Sequence, residues 1–367
     1  MNLALLANGP GEVWGWCRPF ILNVAKKGWN VDVHLLPCPF ASGRELDALS
    51  TMPAHILRHS STVDAFLSFT SAKGYDAVLQ FGGDLIFGRF LAWKCKVPLA
   101  CYSYGRKNGM KHCAAVMTSR EGLFKADRME IVGDLVLDSL DIGTPGEWKA
   151  PIGSRIAAFP GSRPQIRKKA FYLLKGIRDR LVKLIPDVEI RVLLSPFSEQ
   201  DEVPMWVKEG FSVWQGTTPD GIKGADLALT QPGTNTLELM YCEQPFAVTI
   251  PFSFIRQIPI SGLIGILTQI PILGPAAREK YIRKRLPRYI GKTAWPNRLA
   301  GCQFAPEIIG EYSPADIAEK VAEILSDSDG LAKQRKKLHE LAVQVKYGAP
   351  QRICDILERM VASNGGQ

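Results

Sequence analysis

The sequence has eight cysteines but no Cys-x-x-Cys pair, and its five histidines form no cluster beside them. The usual ligand spacings of a zinc site are therefore missing. The cysteines, at 17, 38, 95, 101, 113, 242, 302 and 354, are scattered and mostly flanked by apolar residues. That pattern suits reduced thiols in a core. The opening MNLALLANGP lacks the basic region and long apolar stretch of a signal peptide. It reads as a first buried strand, and the expected location is cytoplasmic. Low-complexity sequence is absent apart from the Gly-Gly-Gln tail. There is no Gly-x-Gly-x-x-Gly fingerprint after the first strand and no matching ribose-binding acid after the second, so a dinucleotide fingerprint fits poorly. No stacking aromatic series accompanies the basic residues, which argues against nucleic acid as a partner.

What is present is a globular chain. Its 367 residues are 46% apolar and 22% charged, enough for two domains with full cores. Lys and Arg number 45 against 36 Asp and Glu, and the net charge of +9 favours acidic partners. Short apolar runs alternate with helical patterns. Strands are expected at Leu3–Ala7, Val31–Leu36, Ala77–Phe81, Pro98–Tyr102, Ala114–Thr118 and Glu130–Val132, with helical patterns such as Trp14–Lys27 and Val63–Ser71 between them. A Gly- and Pro-rich break follows at 141–154, and the alternation restarts. Further strands are expected at Arg155–Phe159, Glu189–Ser195, Ser212–Gln215, Asp226–Thr230 and Phe246–Ile250. This is the sequence form of an α/β protein with two tandem Rossmann-like domains facing a cleft. The expected domains are 1–145 and 151–346. Helical patterns at Pro314–Leu325 and Leu331–Arg359 close the chain, the second broken at Tyr347-Gly348-Ala349-Pro350. The helix over 348–367 has two arrangements open to it: return to its own first domain, or exchange in a homodimer.

In parallel sheets, ligands bind beyond the carboxyl ends of the strands. Four loops are candidates on that ground. In LTQPGTNTLE (229–238), Gly233 allows close backbone approach, and Thr234 and Thr236 offer hydroxyls beside Asn235. The helix starting near Thr234 would aim its N–H groups at an anion, and Glu238, one turn further in, would suit a ribose diol. The plainer reading is an ordinary helix start. In AAFPGSRPQIRKK (157–169), Ser162 and Arg163 end a strand, and Arg163 could clamp a diphosphate. Arg163, Arg167, Lys168 and Lys169 crowd a helix N-terminus, where the dipole disfavours cations. In ANGPGEVWGW (7–16), Glu12 either favours a helix dipole or faces the cleft between the domains, and Trp14 and Trp16 line an apolar pocket or belong to the core. In VLQFGGDLIFGR (78–89), Asp84 either caps the next helix or removes a proton from an acceptor hydroxyl. Asp327-Ser328-Asp329 reads as a surface turn, and no metal or other cofactor is expected.

Residues 258–277 carry no charge but hold three prolines and three glycines, which disfavours a spanning helix. Residues 278–292 then hold seven Lys or Arg against one Glu. Apolar sequence beside a basic cluster suits contact with an anionic membrane through 258–292. A buried helical hairpin with a solvated basic face is the alternative.

FPGSR at 159–163, TQPGTNTLE at 230–238 and PNRLAGCQFAPEII at 296–309 together resemble the motifs of the lipid-A-disaccharide synthase family, a GT-B glycosyltransferase family. The resemblance implies transfer of an acylated glucosamine from a UDP carrier to an acylated glucosamine 1-phosphate. A β-1,6 disaccharide lipid would form and UDP would leave, with no metal needed. It implies that Arg163, Gly233, Thr234, Glu238 and Asn297 hold the UDP part, with Ser162, Asn235 and Thr236 in the same two loops. It places Glu12 and Asp84 at acidic positions near the reaction centre, with Asp84 as base. The acylated substrates would bring the protein to the inner face of the membrane. Two positions depart from the family pattern. Asp134 stands where the family has a His after Val-Gly, and CYSYGRKNGMKH (101–112) replaces a Trp-containing segment. These departures fall on the acceptor side and leave room for another lipid acceptor or donor sugar. A UDP-sugar epimerase or hydrolase, and a non-catalytic nucleotide- or lipid-binding protein, are the rivals from other classes.

Overall fold

The computed structural model describes residues 1–38, 41–141, 143–199, 201–251 and 290–364. Nearly all of the basic and apolar segment expected to meet a membrane, 258–292, lies outside the described residues. The chain divides into two compact units, residues 1–139 with 344–367, and residues 140–343.

The first unit is built on a seven-stranded parallel sheet. Its strands are β1 (Asn2–Ala7), β2 (Asn30–Leu35), β3 (His55–Arg58), β4 (Ala77–Phe81), β5 (Leu99–Tyr102), β6 (Ala115–Thr118) and β7 (Met129–Ile131). They lie in the order β3-β2-β1-β4-β5-β6-β7. The central strands β1 and β4 are covered on both faces, so they are written as near-continuous apolar runs. β3 has no counterpart among the expected strands. It is a four-residue edge strand with exposed ends, and it lacks the apolar run that betrays its neighbours. The helical pattern after β1 is not uniform. A turn at Pro10–Glu12 leads into a π-helical turn at Val13–Cys17, and only then into the α-helix Arg18–Lys26. π turns are rare and concentrate at functional sites.

The terminal helix Ala349–Asn364 belongs to this unit. It packs on Arg18–Lys26 and on the short helix Leu135–Asp138. The Asp138 carboxylate accepts the Gly348 and Ala349 N–H groups at 2.7 and 2.8 Å, capping the helix start. Arg352 donates from Nε to the Val132 carbonyl at 2.7 Å.

The second unit carries a six-stranded parallel sheet. Its strands are β8 (Arg155–Ala158), β9 (Glu189–Leu193), β10 (Ser212–Trp214), β11 (Leu227–Thr230), β12 (Phe246–Pro251) and β13 (Glu307–Gly310). They lie in the order β10-β9-β8-β11-β12-β13. β13 is a second unexpected edge strand, lying inside the motif that ends Pro-Glu-Ile-Ile. The longest helix among the described residues, Pro164–Leu184, opens with Pro at its first position. It buries Ala170, Leu173, Leu174, Ile177 and Leu181 in a helical stripe against the sheet and the helix Pro314–Ser326. Among the described residues, no helix is long and apolar enough to cross a membrane.

Candidate functional site

In each sheet the strand order reverses direction at one place: between β1 and β4 in the first, and between β8 and β11 in the second. Loops part on either side of such a switch point and leave room for a ligand beyond the strand ends. All four candidate loops of the sequence follow these four strands.

In the first unit, Glu12 follows β1 and reaches the turn after β4. One carboxylate oxygen, Oε2, accepts the Asn8 and Gly9 N–H groups at 3.3 and 3.1 Å. The Gly83 N–H faces the same carboxylate. Gly82 and Gly83 both adopt left-handed backbone, with φ of 62° and 59°. A Cβ on Gly82 would lie 1.8 Å from Glu12 Oε1. Burial pushes the Glu12 carboxyl above the ordinary glutamate value, although the Lys107 ammonium and the three N–H groups pull it down. Next along the turn, Asp84 is exposed. Its Oδ1 accepts the Ile86 N–H at 3.1 Å at the start of the helix Ile86–Cys95, and its carbonyl accepts from Gln80 Nε2 at 2.8 Å. The two carboxylates singled out in the sequence thus flank one Gly-Gly turn.

Trp16 is buried, edge-on to Phe81, Tyr102 and Tyr104. It belongs to the core rather than to a pocket wall. Trp14 is half-buried, with the Arg18 guanidinium 4.7 Å from its ring centre.

In the second unit, the loop Phe159–Arg163 leaves β8, and Arg163 is the N-cap residue of Pro164–Leu184. Gly161 is left-handed (φ 94°), and a Cβ there would lie 3.6 Å from Gln231 Oε1, so the loops after β8 and β11 abut. Arg163 is half-buried. The crowd of cations at this helix start has a structural component. Arg167 is buried, pairs with Glu202 at 2.7 Å, and donates to the Ser162 carbonyl at 2.5 Å. It therefore fixes the Pro-Gly-Ser turn from below.

The loop after β11 leads into the helix Asn235–Tyr241, with Thr234 as N-cap residue. Gly233 is exposed, its φ is not left-handed, and a Cβ there would meet nothing within 4 Å. Neither strain nor packing calls for glycine at this position. Thr236 is buried; its hydroxyl donates to the Gly233 carbonyl at 2.8 Å and accepts the Trp295 N–H at 3.2 Å. Glu238 accepts the Thr218 hydroxyl at 2.6 Å, and burial raises its carboxyl above the ordinary value.

Asn297 is wholly buried. Its Nδ2 donates to the Ala305 carbonyl and to Glu307 Oε1, both at 2.9 Å. Its Oδ1 accepts the Phe304 and Ala305 N–H groups at 3.1 and 3.0 Å. Glu307 accepts the Gly291, Thr293 and Ala294 N–H groups as well. The amide thus ties together the motif that delivers Trp295 to Thr236. Among the described residues no group of three His, Cys, Asp or Glu side chains is placed to hold a metal ion.

Residues 147–273 match the family model of lipid-A-disaccharide synthetase. The family resemblance read from the sequence is borne out over that stretch, which contains the loops after both β8 and β11. Lipid-A-disaccharide synthase 2 of Legionella pneumophila (strain Paris) is 29% identical over 195 residues, covering 50% of this chain and 44% of the relative. The chain thus spans about half the length of the curated relatives it matches. Among solved structures, a putative UDP-N-acetylglucosamine 2-epimerase from Listeria monocytogenes aligns with a TM-score of 0.60 at 12% identity, covering 96% of this chain and 94% of that one. MurG of Acinetobacter baumannii aligns with a TM-score of 0.56 at 14% identity over 98% and 100%. The two-domain α/β fold expected from the sequence is the GT-B fold.

Proposed function

We propose that the protein is an inverting glycosyltransferase that moves an acylated glucosamine from a UDP carrier to an acylated glucosamine 1-phosphate, giving a β-1,6 disaccharide lipid and UDP. The observation that carries this reading is that the lipid-A-disaccharide synthetase match, 147–273, takes in both loops at the switch point of the second sheet. In this division of labour the second unit holds the donor. Arg163 and the N-terminus of its long helix meet the diphosphate, Gly233 lets the backbone approach it, and Glu238 accepts from the ribose. These groups stabilise the charge that develops as UDP leaves, without a metal.

The first unit supplies the acid–base chemistry. Asp84, exposed beyond β4, takes the proton of the acceptor hydroxyl, and Glu12 is the second acidic group of that centre. Acylated substrates imply work at the inner face of a membrane. Support comes from two neighbouring helices, Thr62–Thr70 and Ile86–Cys95, which expose Val63, Leu67, Ile86 and Trp93 at 66, 64, 51 and 73%. Exposed Lys73, Arg89, Lys94 and Lys96 lie on or just after these helices. Exposed apolar and basic side chains on the same two helices suit an anionic lipid surface.

The test is a product assay by mass spectrometry with UDP-diacylglucosamine and diacylglucosamine 1-phosphate, with no metal added. A disaccharide with equimolar UDP supports the reading, and Asp84→Ala and Arg163→Ala should then each lower turnover strongly without unfolding the protein. UDP binding without product would move the search to another acceptor or donor sugar. Wild-type rates in both variants would refute the site assignment.

A further inference from the structure

Asp134 and Tyr104 lie 30 residues apart, at the two places where the sequence departs from the family pattern. The fold joins them. The Tyr104 hydroxyl donates to Asp134 Oδ1 and accepts from the Trp16 indole Nε1, the latter at 3.2 Å. Trp16 sits in the π-helical turn Val13–Cys17, whose N-cap residue is Glu12. The hydrogen bonds have one direction. A carboxylate accepts only and an indole donates only, so the hydroxyl between them must donate one way and accept the other.

Asp134 is itself held from several sides. It is 1% exposed, and its Oδ1 also accepts the Val136 N–H at 2.9 Å. Tyr102 donates its hydroxyl to the Gly133 carbonyl at 3.1 Å. Gly133 is left-handed (φ 89°), and a Cβ there would come within 2.7 Å of both the Lys346 carbonyl and Arg352 Nη2. The segment 133–136 is therefore keyed into the approach to the terminal helix. It also touches the π turn directly, since a Cβ on Gly15 would lie 3.3 Å from Val136 Cγ2. π turns are rare in helices, and this one is packed against the segment that carries Asp134.

We infer that Asp134, Tyr104 and Trp16 form a directional brace that fixes the π turn and thereby the placement of Glu12, which makes Tyr104 and Asp134 positioning residues for the acceptor-side chemistry. The inference deepens the proposed transfer reaction and rests on it for its catalytic meaning. Through Glu12, the brace extends to the Gly82–Gly83 turn and so to Asp84. The charged and titratable groups facing Glu12 are Lys107, on the same segment as Tyr104, and Cys17, at the end of the π turn. Burial is the largest influence on Glu12 and Lys107 the second. A loosened turn admits water, and the Glu12 midpoint then falls towards the ordinary glutamate value.

The test uses the full chain labelled with 13C at the glutamate carboxyl carbons and titrated by NMR, with Glu12→Gln identifying the Glu12 signal. Tyr104→Phe and Asp134→Ala should each lower the Glu12 midpoint, and the double variant should lower it no further than either single one. Tyr104→Phe leaves Asp134 Oδ1 accepting the Val136 N–H, so it separates the brace from the helix start. In the transfer assay both variants should lower kcat about tenfold or more while leaving KM for the UDP donor unchanged. An unmoved or raised Glu12 midpoint in both single variants would overturn the brace, as would single effects that simply add. Failure of the proposed function looks different: wild-type protein gives no glycosylated product, yet the Glu12 midpoint still answers to Tyr104→Phe.

Discussion

Glu12 Oε1 occupies the place where a side chain on Gly82 would begin, 1.8 Å from the ideal Cβ position. The two residues sit beyond neighbouring strands, β1 and β4, at the switch point of the first sheet. The carboxylate and the glycine turn therefore define each other. Glu12 needs the empty space over Gly82, and the turn aims its Gly83 N–H at the carboxylate.

Gly82→Ala should consequently do more harm than its size suggests. The left-handed φ alone costs an alanine about 1 kcal/mol. Gly28 supplies the control, because it is also left-handed (φ 69°) but a Cβ there meets nothing within 4 Å. Urea unfolding should show Gly28→Ala losing about 1 kcal/mol and Gly82→Ala losing roughly 2–4 kcal/mol, since the carboxylate must also move. Equal losses would mean that Glu12 swings aside freely and that its placement over the turn is incidental.

Arg163 and Arg167 are four residues apart and should behave oppositely. Arg167 is buried and paired with Glu202. Arg167→Ala leaves that carboxylate without its partner, so a loss of about 3–5 kcal/mol is expected in chemical denaturation. Arg163→Ala should leave the unfolding midpoint nearly unchanged and weaken UDP about tenfold in calorimetry, the worth of a charge-assisted contact. If Arg163→Ala melts the protein and spares UDP affinity, the diphosphate belongs elsewhere.

Much of the architecture is legible because parallel strands covered on both faces must be apolar throughout. β1, β4 and β11 can be read for that reason. β3 and β13 cannot, because four-residue edge strands carry no such run. The π turn at Val13–Cys17 has no local code, since an α-helix of the same residues would bury much the same side chains. Arg167 looks like part of an anion site in the sequence because its partner, Glu202, lies 35 residues away. Asn297 looks like a ligand contact because a buried asparagine in a motif says nothing about where its amide points. The pairing of Tyr104 with Asp134 depends on β5, β6 and β7 lying side by side, which no spacing reveals.

Asn297→Asp tests what that amide does. The change removes the donor to Ala305 and Glu307 and sets two carboxylates against each other. A loss of about 3 kcal/mol or more is expected, measured by urea unfolding. Adding Glu307→Gln should recover part of it, because the new amide can donate to the carboxylate introduced at position 297. A stable Asn297→Asp variant with poor donor binding would instead make Asn297 a direct ligand of the nucleotide.

Glu238 gives a pH dependence with a defined sign. Its carboxyl is raised in the folded state by burial, with the Thr218 hydroxyl opposing. The folded protein therefore holds that proton more tightly than the unfolded chain. The associated stability is fully present below the ordinary glutamate value and is lost as pH rises through the raised one. Glu238→Gln does not titrate, so wild-type stability minus variant stability should fall over that window in urea unfolding series. A difference independent of pH would mean that Glu238 is hydrated in solution.

The exposed side chains of Thr62–Thr70 and Ile86–Cys95 make the membrane reading testable on described residues alone. Leu67 and Trp93 are 64 and 73% exposed and carry little of the fold. Replacing both with Glu should leave the melting temperature within a few degrees of wild type, because both side chains are mostly exposed and the Trp93 ring meets Phe90 only at 5.8 Å between ring centres. Sedimentation with vesicles containing anionic lipid should weaken about tenfold or more, since two apolar anchors are lost and two like charges face the headgroups. High salt should weaken wild-type binding in part, through the exposed Lys and Arg side chains of these helices, and leave the apolar share. If the double variant sediments like wild type, these helices face water and the lipid contact must lie on another surface of the protein.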